Sequence, residues 1–224
     1  NLAAFDTLNV LQSDASRFVE QDFNRVWGPA LLSAPSVTNE QRRARELAPV
    51  VARADWMLDL HSMHEPGPPL LLTGMLQRNI NFAHQLAAPA HVIVDRGHSD
   101  GVRMRDHLAF ADAAGDKLAL LLECGWHGAL ASRTVARDMT ARFLNASQLF
   151  DDTSAWAPWL MADAATPTSH VVMHGVVARS MNTSFANDWQ CGQRVAKAGT
   201  VLGWLDTQPF VTPYDDCMLV MPSL

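Results

Sequence analysis

Three short apolar runs set the limits on what this chain can become. They are Trp56-Met57-Leu58, His91-Val92-Ile93-Val94 and Leu118-Ala119-Leu120-Leu121-Leu122. Each is short and unbroken, as expected of strands covered on both faces. Between and after them lie helix-like stretches at 38–53, 75–88 and 132–150, with a short one at 106–114. Strands alternating with helices at this spacing predict an α/β domain with a largely parallel sheet. Beyond residue 168 the helical periodicity disappears, and Gly192, Gly199 and Gly203 punctuate short apolar runs. We therefore divide the chain into an α/β domain over residues 1–160 and a small all-β domain over 161–224, with its strands from 168 onward.

Two of the predicted strands run out at ionisable residues, His61 and Glu123. In open α/β sheets, ligands and chemistry sit just beyond the carboxyl ends of the strands. His61 thus stands where a metal ligand or a general base would be; the plainer reading is an inert, hydrogen-bonded histidine. Glu123 ends a leucine-rich strand, a costly place for a carboxylate unless it is paired, hydrated or functional. The alternative is a side chain emerging into solvent. A third segment, Arg17 to Arg25, places two arginines and Asn24 within nine residues. Arginine can grip a carboxylate with two parallel hydrogen bonds, and asparagine adds a donor. Taken alone, that segment reads better as a solvated surface with incidental charges.

The other features are structural. Thr38 or Asn39 caps the first long helix, whose polar face carries Glu40, Arg42, Arg43, Arg45 and Glu46, and Pro49 kinks or ends it early. Glu65-Pro66-Gly67-Pro68-Pro69 must be loop. His64 is read as pocket-lining. His170 and His174 share one face of a hydrated β-surface.

Charge and composition narrow the partners. The 224 residues carry a formal net charge of -6, and no run of Lys or Arg offers a nucleic-acid surface. No apolar run is long enough to span a membrane. Three widely spaced cysteines (Cys124, Cys191, Cys217) form neither a disulfide framework nor a CxxC metal site, which fits a reducing compartment such as the cytoplasm. A homo-oligomer stays open.

Three pieces in fixed order carry a resemblance: Arg17-Phe18-Val19-Glu20-Gln21-Asp22-Phe23-Asn24-Arg25, Asp59-Leu60-His61-Ser62 and Leu122-Glu123-Cys124-Gly125. They resemble the R-x-x-x-x-D-L-N-R segment, the D-L-H segment and the catalytic glutamate strand of the succinylglutamate desuccinylase/aspartoacylase family, with Phe23 in place of the usual leucine. The resemblance implies a carboxypeptidase-like α/β fold, a small carboxy-terminal β-domain and one zinc ion. It implies a hydrolase that cleaves the amide of an N-acyl amino acid or a similar small carboxylate.

Under it, His61 matches a zinc ligand and Glu123 the general base. Arg17 matches the arginine that stabilises the oxyanion, and Asn24 and Arg25 the pair that holds the substrate carboxylate. Asp59, on the same side of its strand as His61, would orient the imidazole. The family's other two zinc ligands come from an H-x-x-E segment, and this sequence contains none. That segment is expected upstream of Asn1, the other reading being a relative that has lost its metal. A zinc carboxypeptidase and a metal-free small-carboxylate-binding protein are the competing assignments.

Overall fold

A computed structural model describes residues 18–162, 166–175 and 182–223. Short helices α1 (Pro29–Ser33), α2 (Asn39–Arg53), α3 (Gln77–Gln85) and the longer α4 (Leu130–Ser147) alternate with strands β1 (Trp56–Met63), β2 (Leu70–Leu72), β3 (His91–Val94) and β4 (Leu118–Trp126). Strand β5 (Thr168–Val171) completes a five-stranded sheet of order β1-β4-β2-β3-β5. β2, β3 and β5 run parallel, with Leu71 opposite Val92 and Ile93 opposite His170. The mixed α/β fold read from the sequence is present. None of the helices among the described residues is long and apolar enough to cross a membrane.

The chain groups into two compact units assembled from discontinuous pieces. One comprises the chain up to Asp59, Thr73–Phe82 and Asp95–Leu121; the other comprises Leu60–Leu72, Ala83–Val94 and Leu122–Leu224. β1 and β4 each begin in the first unit and end in the second. The sequence-based boundary near residue 160 falls inside the second unit.

The first unit is built on Val26, Trp27 and Ala44, all fully buried, with Phe23, Leu32, Leu47, Val51, Val102 and Met104 packed around them. Helix α2 presents Ala44 to this core. The Thr38 hydroxyl caps the helix by accepting the Gln41 amide at 3.2 Å, as its sequence predicts. Glu40 departs from expectation: it is fully buried and not part of the polar face, because one carboxylate oxygen accepts the Val19 amide at 2.7 Å. Pro49 does not end the helix, which continues to Arg53. Proline lacks the N–H that would bond the carbonyl of Arg45, and the helix tolerates that single loss.

A buried ion network fixes the loop that follows Val94. Arg103 is 2% exposed; its Nη1 donates to Asp95 at 2.7 Å and its Nε to Asp106 at 2.7 Å. Burial alone would lower its pKa, but the two carboxylates outweigh it and hold the guanidinium above its ordinary value. Arg105 Nη2 pairs with the other oxygen of Asp106 at 2.7 Å, and there burial wins and lowers the pKa. Asn79, also fully buried, accepts the Ala119 amide and donates to the Thr73 carbonyl. The expected helix at 106–114 is instead two 3₁₀ turns, Met104–Asp106 and Leu108–Phe110. The arginine–aspartate contacts hold this stretch in tight turns.

In the second unit, β2 packs three fully buried leucines beside β3. Beyond β5 the chain makes an antiparallel sheet, β6 (Thr183–Phe185), β8 (Val201–Leu205) and β9 (Gln208–Val211), ordered β6-β8-β9. Two short strands, β7 (Arg194–Val195) and β10 (Cys217–Met218), pair separately. The all-β character of the tail is therefore seen, except that β5 belongs to the main sheet, where its backbone pairs with β3.

Arg103→Met removes the central cation of a buried network, taking from Asp95 its arginine partner and leaving Asp106 with Arg105 alone. Such losses cost about 3–5 kcal/mol. Urea unfolding of the variant should show a correspondingly lower midpoint, and an unchanged midpoint would show the network to be dispensable.

Candidate active site

β1 and β4 are neighbours in the sheet, and they carry His61 and Glu123. Neither residue ends its strand. β1 continues to Met63 and β4 to Trp126, and the pairing extends beyond them through the His127 amide donating to the Met63 carbonyl at 2.9 Å. β4 can run through Cys124-Gly125 because Gly125 adopts φ +110°, which a side chain would disfavour. The chain turns only at His127-Gly128, after the strand has ended. Nor is β1 fully covered: it is mostly half-buried, with Leu60 47% exposed, and among the described residues it is the outermost strand of the sheet.

Glu123 is half-buried, and its Oε2 is shut off from solvent. Its charge is felt next door. The Cys124 thiol is pushed up to about 11, first by burial and then by the Glu123 carboxylate, so it stays protonated at neutral pH. Burial likewise raises the Cys191 thiol, with a further push from Glu123. Asp59 and His61 lie two apart on β1 and share one side of the strand; the Asp59 Oδ2 is also buried.

A cleft of about 350 Å³ opens beside this end of β1. Its walls include His61, Ser62, Cys124, His127, Ser132 and Arg133, the last two from the first turn of α4. Ser62 Oγ lies 2.6 Å from His127 Nδ1, and His64 meets the His127 ring edge-on at 4.7 Å. The lining takes in Cys124 and not Glu123. Ser62 and His127 were not singled out from the sequence, where nothing in their spacing joins them.

Asn24 and Arg25 belong to the first unit and form a 3₁₀ turn, Phe23–Arg25, capped by Asp22. The Asn24 side-chain carbonyl accepts the Met104 amide at 2.9 Å. Only its Nδ2 end can therefore donate to a ligand. Arg25 is 11% exposed, lies 3.6 Å from Asp22 and 3.4 Å from Asp100, and donates from Nη1 to the Asn24 carbonyl at 2.9 Å. Val26 and Val102 form a parallel bridge, and a Cβ added at Gly101 would overlap the Arg25 carbonyl. The loop after Val94 thus clasps the turn that carries both residues. Burial lowers the pKa of His98 on that loop, helped by the charges of Arg25 and Arg103, so its imidazole is neutral at physiological pH.

His61 and Glu123 therefore share neighbouring strands, and Asn24 and Arg25 share one braced turn. Arg17 lies outside the described residues. A zinc site with an open position needs three protein ligands. No group of three or more His, Cys, Asp or Glu side chains among the described residues could hold a metal ion, so these residues alone do not fit the zinc implied by the sequence resemblance.

No protein-family model and no curated protein sequence matches the chain. Solved structures do match it by shape. Succinylglutamate desuccinylase from Vibrio cholerae superposes with a TM-score of 0.64 at 18% identity, over 95% of this chain and 64% of the enzyme. Succinylglutamate desuccinylase/aspartoacylase from Rhodobacter sphaeroides gives 0.60 at 16%, over 95% and 71%. Murine aminoacylase 3 gives 0.52 at 15%, over 93% and 73%. The chain spans less than two thirds of the length of the Vibrio enzyme. Its fold is that of the succinylglutamate desuccinylases and aspartoacylases.

Proposed function

We propose that this chain is part of a hydrolase that cleaves the amide bond of N-acyl amino acids or similar small carboxylates. The observation that carries the reading is the shared fold, in which the D-L-H and L-E-C-G segments occupy neighbouring strands of the central sheet.

In this reading Glu123 is the general base. Its carboxylate is half-buried and carried by a strand, a rigid support for a group that exchanges protons. It takes a proton from the water that attacks the amide carbonyl and later delivers it to the departing amine. Arg25 and the Nδ2 end of Asn24 bind the substrate carboxylate, and Arg17 favours the developing oxyanion. Because Arg25 is already held between two aspartates, little side-chain freedom is lost when a substrate is bound.

Zinc dependence is part of the same proposal. His61 offers one nitrogen, and ligands beyond the described residues would complete the set. A zinc ion held there would acidify a bound water and polarise the amide carbonyl.

The test is a hydrolysis screen of N-acyl amino acids with and without added zinc. Glu123→Gln should reduce kcat by roughly 10²–10⁴-fold while metal content stays unchanged. Arg25→Ala should raise KM by about 10–100-fold, the worth of a charged hydrogen bond, for substrates bearing a carboxylate and not for their amides. Equal effects on both would remove Arg25 from recognition. His61→Ala should abolish zinc retention by the intact protein. Failure to hydrolyse any N-acyl amino acid, with zinc supplied, would overturn the assignment.

A further inference from the structure

His91 and His170 stand apart from the residues assigned above and face each other across two parallel strands. Ile93 is opposite His170 in the β3–β5 ladder, and His91 lies two residues before Ile93. Both imidazoles therefore stand on the same face of the sheet. His91 Nδ1 and His170 Nε2 are 3.2 Å apart, with ring centroids 5.3 Å apart and planes inclined by 45°.

Two imidazole nitrogens this close need something positive between their lone pairs, either one shared N–H or a metal ion. An ion bound tetrahedrally at 2.0–2.1 Å to each nitrogen sets them about 3.3 Å apart. The observed gap is within a tenth or so of that span. We propose that His91 and His170 form a two-imidazole site for a divalent transition-metal ion of the zinc, nickel and copper class, with water completing the coordination.

Imidazole suits these ions, whereas calcium and magnesium demand oxygen ligands. With no cluster of three ligating side chains among the described residues, the site binds more weakly than a structural zinc centre. The cation that bears on His170 is Arg194, and its guanidinium is paired with Asp216 at 2.5 Å. Burial, with smaller contributions from His91 and Arg194, lowers the pKa of His170, which leaves its lone pair available at neutral pH. Among the described residues β5 is the outermost strand on its side of the main sheet. An ion here would clip it to β3.

The inference is independent of the hydrolase reading, and its test separates the two. The whole protein is titrated with Ni²⁺ alone by calorimetry at pH 7.5. One equivalent should bind, with binding weakened at least tenfold in both His91→Ala and His170→Ala. It should be unchanged in His84→Ala, whose ring bonds the Ser169 hydroxyl at 2.8 Å instead. Cu²⁺ spectra should show coupling to two nitrogens that the His91→Ala/His170→Ala double variant lacks. No Ni²⁺ bound by the wild-type protein, or wild-type affinity retained in either His91→Ala or His170→Ala, would overturn the site. In those cases the pair is an ordinary N–H···N hydrogen bond.

Discussion

The buried guanidinium of Arg103 is the contact on which the loop beside Asn24 and Arg25 depends. It draws Asp95 and Asp106 onto one cation at 2% exposure and so closes the loop after Val94 into a fixed shape. On that shape rest the Met104 amide that orients Asn24 and the Asp100 carboxylate that pairs with Arg25. A buried ion pair is weak evidence for stability, since desolvation offsets most of the attraction. Its value here is geometric: two carboxylates on a planar fork leave few alternative loop conformations.

A similar economy holds at β4. The strand is leucine-rich through Leu122 and then carries Glu123, Cys124 and Gly125 without leaving the sheet. The backbone there is tied into the ladder, so the carboxylate is presented from a rigid element and not from a loop. Under the proposed hydrolase reading such support would suit Glu123, because proton transfer needs hydrogen-bond distance to the reacting atom. The neighbouring thiol, raised to about 11, adds no competing nucleophile at neutral pH.

Much of this could be read from the chain. The apolar runs gave β1, β3 and β4, and Thr38 marked the start of α2. What escaped was whatever depends on distant partners. The three leucines of β2 are too few to show a period, and only pairing with β3 makes them a strand. Glu40 looked like a surface residue until the Val19 amide, some twenty residues away, supplied its partner. His61 and Glu123 were placed on the right strands but at the wrong points along them, because a ladder does not stop where hydrophobicity does. The Ser62–His127 contact bridges two strand ends and has no local signature at all. Motif order carried Asn24 and Arg25 as candidates; the aspartates that brace Arg25 became visible only in the fold.

The pairing of β3 with β5 also bears on how the molecule forms. His91 lies opposite Thr168, so this ladder cannot close until the whole of β4, α4 and the following turns has been made. Closing so long a loop carries an entropic cost before any contact offsets it, and parallel ladders of high sequence separation are slow to assemble. During synthesis β3 would therefore emerge with one edge uncovered and wait for the last strand of its sheet. Val92, Ile93 and Val94 on that edge are the stretch most in need of protection in the interval.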